Sequence, residues 1–175
     1  GRNLASKGYR VTPTLSAAAL EASPDMKNAV ADLQSKHNDL LAVMTRDRAG
    51  VEKGRFSLGT DVAAVGETAG ADLLVFVRGS GVIFTTSKKV TEAVVGALLG
   101  VSGVSQDTLS IFISVVDAKD GRVMATVSGQ AVGNFVKRPD EIIGKAITGA
   151  FRKFPAQGTK RMTRHGFAAG AVVAP

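Results

Sequence analysis

The chain contains no cysteine and no tryptophan, and only two histidines and one tyrosine among 175 residues. The missing cysteine excludes disulfides, thiolate nucleophiles and thiolate metal sites, but it does not fix the compartment, because larger exported domains fold without disulfides. With 5% aromatic residues, the core must be built from Val, Leu, Ile and Ala, with Phe as the bulky filler. Acidic residues are absent after Glu141, so Arg152, Lys153, Lys160, Arg161 and Arg164 supply +5 of the formal net charge of +7. Long hydrophobic runs are missing too. The longest charge-free stretch in the apolar middle, Ala93 to Gln106, falls short of the roughly 18 apolar residues that a membrane-spanning helix needs. The chain opens at Gly1 with no Met and no basic-then-apolar leader, and the expectation is that an export signal has been removed upstream of it.

What is present suits one domain: a hydrophobic content of 45% can bury a core without covalent staples. Residues 1–22 read as an irregular N-terminal arm, with Tyr9, Val11, Pro13 and Leu15 in loose alternation and Pro13 restricting that stretch to a sheet edge. Ser23-Pro24-Asp25 has the form of a helix start, with a hydroxyl cap, proline at the first helical position and a carboxylate at the positive dipole end. Met26, Val30, Leu33, His37, Leu40, Leu41 and Met44 then follow a helical stripe, with a stop expected by Gly50. Gly54–Gly59 reads as a loop or a short extended piece, and Thr60-Asp61 as the start of a short helix ending at Gly70.

Ala71–Val77 is almost continuously apolar, the pattern of a strand covered on both faces, and Arg78–Gly81 is expected to turn it. Lys88–Leu99 reads as a helix, and Val94, Val95, Leu98 and Leu99, lying on both of its sides, form a candidate partner patch. If the strands flanking that helix are parallel, the connection should be a right-handed crossover. Leu109–Val116 alternates, and Asp120-Gly121 supplies the turn that joins it to a second strand, Arg122–Val132, as a β-hairpin. Pro139-Asp140-Glu141 opens a last helix whose stripe is Ile142, Ile143, Ala146, Ile147, Ala150, Phe151 and Phe154. Residues 156–175 lack periodicity and read as a basic and apolar tail. The fold class expected is α/β (α+β): a mixed sheet that includes the C-terminal antiparallel hairpin, with helices packed on it, in a single domain over residues 1–155.

Chemistry is thinly represented. Arg78-Gly79-Ser80-Gly81 has two of the glycines of a dinucleotide loop, but Phe84 stands where the third is needed, and Ser87-Lys88-Lys89 replaces the Gly-Lys-Ser/Thr of a P-loop. His37 lies on an apolar helical stripe, where a hydrogen-bonded core histidine is the ordinary outcome, and His165 sits in the tail. Asp117 and Asp120 are the best carboxylate candidates for a metal, yet aspartates in that position ordinarily form turns. No catalytic, cofactor or metal residue is therefore assigned, and the chain is not expected to be an enzyme. The basic residues Arg152, Lys153, Lys160, Arg161 and Arg164 are candidates for contact with an anionic membrane surface or wall polymer. Nucleic acid is a poorer partner, because only Phe154 and Phe167 could stack on bases nearby.

Three segments carry a resemblance: Gly54-Arg55-Phe56-Ser57-Leu58-Gly59, Thr68-Ala69-Gly70-Ala71-Asp72 leading into a strand, and Val116-Asp117-Ala118-Lys119-Asp120-Gly121-Arg122-Val123. Together they resemble a group of bacterial cell-envelope lipoproteins similar in architecture to the N-terminal domain of TolB and to the periplasmic part of the curli secretion lipoprotein. The resemblance spans residues 54–154. It implies a periplasmic domain, lipid-anchored to the outer membrane through a cysteine upstream of Gly1, that serves envelope proteins as an interaction or assembly module without cofactors. Two alternatives stand beside it: a soluble module binding nucleic acid or an anionic polymer through the basic tail, and a hydrolase whose carboxylates carry no recognisable spacing.

Overall fold

The structure, a computed structural model, describes residues 2–11, 20–84, 106–156 and 170–174. The helices are α1 (Arg2–Ala5), α2 (Pro24–Arg46), α3 (Arg48–Glu52), α4 (Val62–Ala69) and α5 (Pro139–Arg152). The strands are β1 (Arg10–Val11), β2 (Leu73–Val82), β3 (Asp107–Asp117), β4 (Val123–Gly133) and β5 (Gly170–Ala174), in the sheet order β1-β5-β2-β3-β4. The fold is the α/β class read from the sequence: β5 is parallel to β1 and β2, while β2, β3 and β4 form an antiparallel set.

Several details differ from the sequence reading. Gly170–Ala174 is a strand inserted between β1 and β2, not the end of a tail, and its register pairs Leu73 with Ala171 and Phe76 with Ala174. Period-two reasoning misses it because Gly170-Ala171-Val172-Val173-Ala174 is apolar without alternation. Strand β2 does not turn at Arg78–Gly81 but continues to Val82. Gly81 lies close to the neighbouring strand, where an added Cβ would come within 3.0 Å of the Thr108 carbonyl oxygen. Because β2 and β3 are antiparallel, the right-handed crossover rule does not govern their connection. Ser23 caps α2 with its backbone carbonyl, which accepts from Lys27 N–H at 2.9 Å, and not with its hydroxyl. The expected helix over Lys88–Leu99, with Val94, Val95, Leu98 and Leu99, lies outside the described residues.

The chain divides into two compact units. The first comprises Gly1–Val77, Ile113–Val127 and Lys153–Pro175; the second comprises Arg78–Phe112 and Ser128–Arg152. In the first unit α2 buries Val30, Leu33, His37, Leu41 and Met44, the stripe expected from its spacing. Tyr9 is buried there edge-on to Phe154, ring centroids 5.8 Å apart, and its hydroxyl donates to the Pro155 carbonyl at 3.2 Å. In the second unit α5 buries Ile142, Ala146 and Ala150. Gly129 lets that helix come close: a Cβ at 129 would run into the Ala146 carbonyl and the Ala150 amide.

Candidate functional site

In the first unit the three segments that carry the family resemblance meet around the β3–β4 turn. Ser57 bridges to Arg122, Leu58 N–H donates to the Gly121 carbonyl at 2.9 Å, and Val123 N–H donates to the Phe56 carbonyl at 2.8 Å. Ala118 N–H donates to the Asp72 carbonyl at 2.9 Å, which joins the exit of α4 to the same turn. Gly70 ends α4 in the left-handed conformation, φ 59°, as its place after the apolar stripe predicted. Two positions admit nothing larger. Gly121 has φ 73° and its Cβ direction is filled by the Gly59 backbone, and a Cβ at Gly66 would sit 2.5 Å from that of Ala118.

The carboxylates of this turn are engaged by their own chain. Asp117, 2% exposed, accepts from Lys119 N–H at 2.9 Å and faces the Arg122 guanidinium at 3.9 Å. Asp120 accepts from Arg122 N–H at 2.9 Å and pairs with the same guanidinium at 3.3 Å. These are turn-forming roles. Among the described residues no group of three or more His, Asp or Glu side chains could hold a metal ion.

His37 and Ser114 stand at hydrogen-bond distance, Nε2 to Oγ 2.8 Å, and Ser114 Oγ is 3.2 Å from Thr126 Oγ1. The His37 ring stacks on Phe76 with centroids 5.1 Å apart. A serine–histidine contact of this length is the geometry of an activated nucleophile, but catalysis also needs substrate at the oxygen. Ser114 is 0% exposed and His37 2%, so the contact satisfies buried polar groups between α2 and β3.

On the outer side of α2 a groove of about 330 Å³ is lined by Asp25, Asn28, Ala29, Asp32, Leu33, Lys36 and Asp61. The Lys36 ammonium reaches Asp61 at 2.8 Å. This hydrogen bond, reinforced by the opposite charge, raises the Lys36 pKa and lowers that of Asp61. Asp61 has helical backbone angles, φ −58° and ψ −21°, and does not cap α4 with its side chain.

In the second unit one buried carboxylate ties two loops together. Asp107, 2% exposed, accepts from Phe84 N–H at 3.0 Å through Oδ1 and from Phe135 N–H at 2.8 Å through Oδ2. Nothing in the local pattern points to this, since an aspartate ahead of an alternating strand reads as a polar boundary. The only available signal was the expense of placing a charge at the edge of a buried strand.

Of the basic residues named from the sequence, Arg152 ends α5 and Lys153 follows it, both exposed, while Lys160, Arg161 and Arg164 lie outside the described residues. No helix among the described residues is long and apolar enough to cross a membrane. No protein-family model, curated protein or solved structure matches the chain.

Proposed function

We propose that this chain is a cell-envelope lipoprotein domain that works as a non-catalytic interaction or assembly module at the periplasmic face of the outer membrane. In this reading its lipid is carried by a cysteine that precedes Gly1 in the precursor. The observation that supports it best is the convergence of the three resemblance segments on one turn. Gly54–Gly59, Thr68–Asp72 and Val116–Val123 are held together by backbone hydrogen bonds and glycine contacts, so the shared motifs specify a scaffold. The groups with chemical potential fit a scaffold as well, because Ser114 and His37 are enclosed and Asp117 and Asp120 are engaged by backbone N–H groups and Arg122.

The test is to express the full precursor in a bacterial host, label it with a fatty-acid probe and fractionate the membranes. Label recovered in the outer-membrane fraction is the expected result. Unlabelled protein in the cytosol would overturn the reading and leave the anionic-polymer alternative to be tested by a salt titration.

A further inference from the structure

We propose that the end of the second unit beside Asp107 is a contact site for an anionic phospholipid bilayer. Four large aliphatic side chains stand in water there: Val82 and Ile83 are each 55% exposed, Val132 51% and Val136 75%. Ile83 and Val136 are brought towards one another by the Asp107 carboxylate, which holds Phe84 N–H, next to Ile83, and Phe135 N–H, next to Val136, while Val82 and Val132 lie at the ends of the strands that lead into these two loops. The loop that presents Val136 is itself fixed: Asn134 accepts from Lys137 N–H through its side chain and from Arg138 N–H through its carbonyl, both at 3.0 Å. Four clustered aliphatics on a fixed support are the kind of exposed patch that marks an interaction surface.

Charge selects the occupant. Lys137 and Arg138, both exposed, follow Val136 directly, and neither 82–84 nor 132–138 contains an acidic residue. The acids that follow are Asp140, exposed at the start of α5, and Glu141, engaged by Lys145 at 2.6 Å and by Arg138 at 3.4 Å. Aliphatic prongs beside basic residues match an interface in which acyl chains lie beneath anionic headgroups, the prongs entering the acyl boundary while the cations stay with the phosphates.

The contact does not depend on the lipid anchor proposed above, so the experiment uses the unlipidated chain and its failure leaves the fatty-acid labelling result untouched. The chain is floated with vesicles of pure phosphatidylcholine and with vesicles that also contain phosphatidylglycerol, across a salt series. Binding is expected on the mixed vesicles, reduced roughly tenfold or more by I83S/V136S and roughly tenfold by K137Q/R138Q. Circular dichroism melts confirm that these surface variants are folded. The triple variant K160Q/R161Q/R164Q serves as the competing site. The proposal is overturned if neither vesicle binds, if I83S/V136S binds as well as the parent, if soluble glycerol phosphate abolishes binding, or if the triple variant alone abolishes it.

Discussion

Strand β2 shows the contrast between the two units within ten residues: Leu73–Phe76 are buried, and every residue from Val77 to Val82 is exposed. The first unit closes over its side chains. His37, Ser114, Asp117, Tyr9 and Phe154 are all enclosed there, and several independent bonds connect its turns. In the second unit the described devices are of another kind: glycines at 129 and 133 that admit α5, and the carboxylate of Asp107, which serves two amides. Removing one bond at the β3–β4 turn should leave others in place, whereas removing Asp107 takes an acceptor from two loop amides at once.

The largest test of that contrast is Gly129→Ala, whose Cβ would meet helix backbone that cannot step aside as a side chain could. A loss of roughly 3 kcal/mol or more is expected by urea denaturation. Gly144→Ala on the same helix is the control: the position is exposed with nothing within 4 Å, and a gain of ~0.5–1 kcal/mol is expected. If both variants behave alike, close packing at Gly129 is not what secures α5.

Asp107→Ala should come next, at about 2–3 kcal/mol, because two part-buried backbone donors lose a charged acceptor. Hydrogen exchange would show it locally, with the Phe84 and Phe135 amides exchanging faster while amides of α2 are unchanged. Ser114→Ala, in the first unit, should cost only ~1–2 kcal/mol, since it removes one of the bonds made by His37 and a contact with Thr126. A loss larger than that of Asp107→Ala would reverse the comparison.

A pH dependence, confined to alkaline solution, comes last. Burial pushes the Tyr9 hydroxyl up to about 12, from the usual 10.0. The folded state therefore favours the neutral phenol, so this contribution is fully present below pH 10.0 and is lost as pH rises through about 12. The difference in stability between the parent and Tyr9→Phe should narrow over that interval. Ultraviolet absorbance of the chain's single tyrosine reports the same titration directly.

The hairpin, α2 and α5 were legible because each is local: an Asp-Gly turn between alternating strands, and apolar stripes flanked by proline and basic residues. What escaped was whatever depends on a partner distant in sequence. Gly79 and Gly81 read either as a tight turn or as a bulge in a bent strand; they lie inside β2, and what asks for glycine at 81 is Thr108 on the next strand. The residues 170–174 form a strand because β1 and β2 leave a place for them, a fact absent from their own composition. Asp107 belongs to the same kind, since its value lies in two amides 23 and 28 residues away.

The knot around the β3–β4 turn has a consequence for inheritance. The Gly59 backbone fills the Cβ direction of Gly121, and Gly66 and Ala118 occupy each other's side-chain space, so none of 121, 66 and 118 can grow alone without displacing backbone or neighbour. Drift in this part of the molecule is expected to be paired or absent. Among diverged relatives, a larger residue at 118 should occur only where the exit of α4 has been rebuilt, which makes these positions a longer-lived record of descent than the surface residues through which partners are chosen.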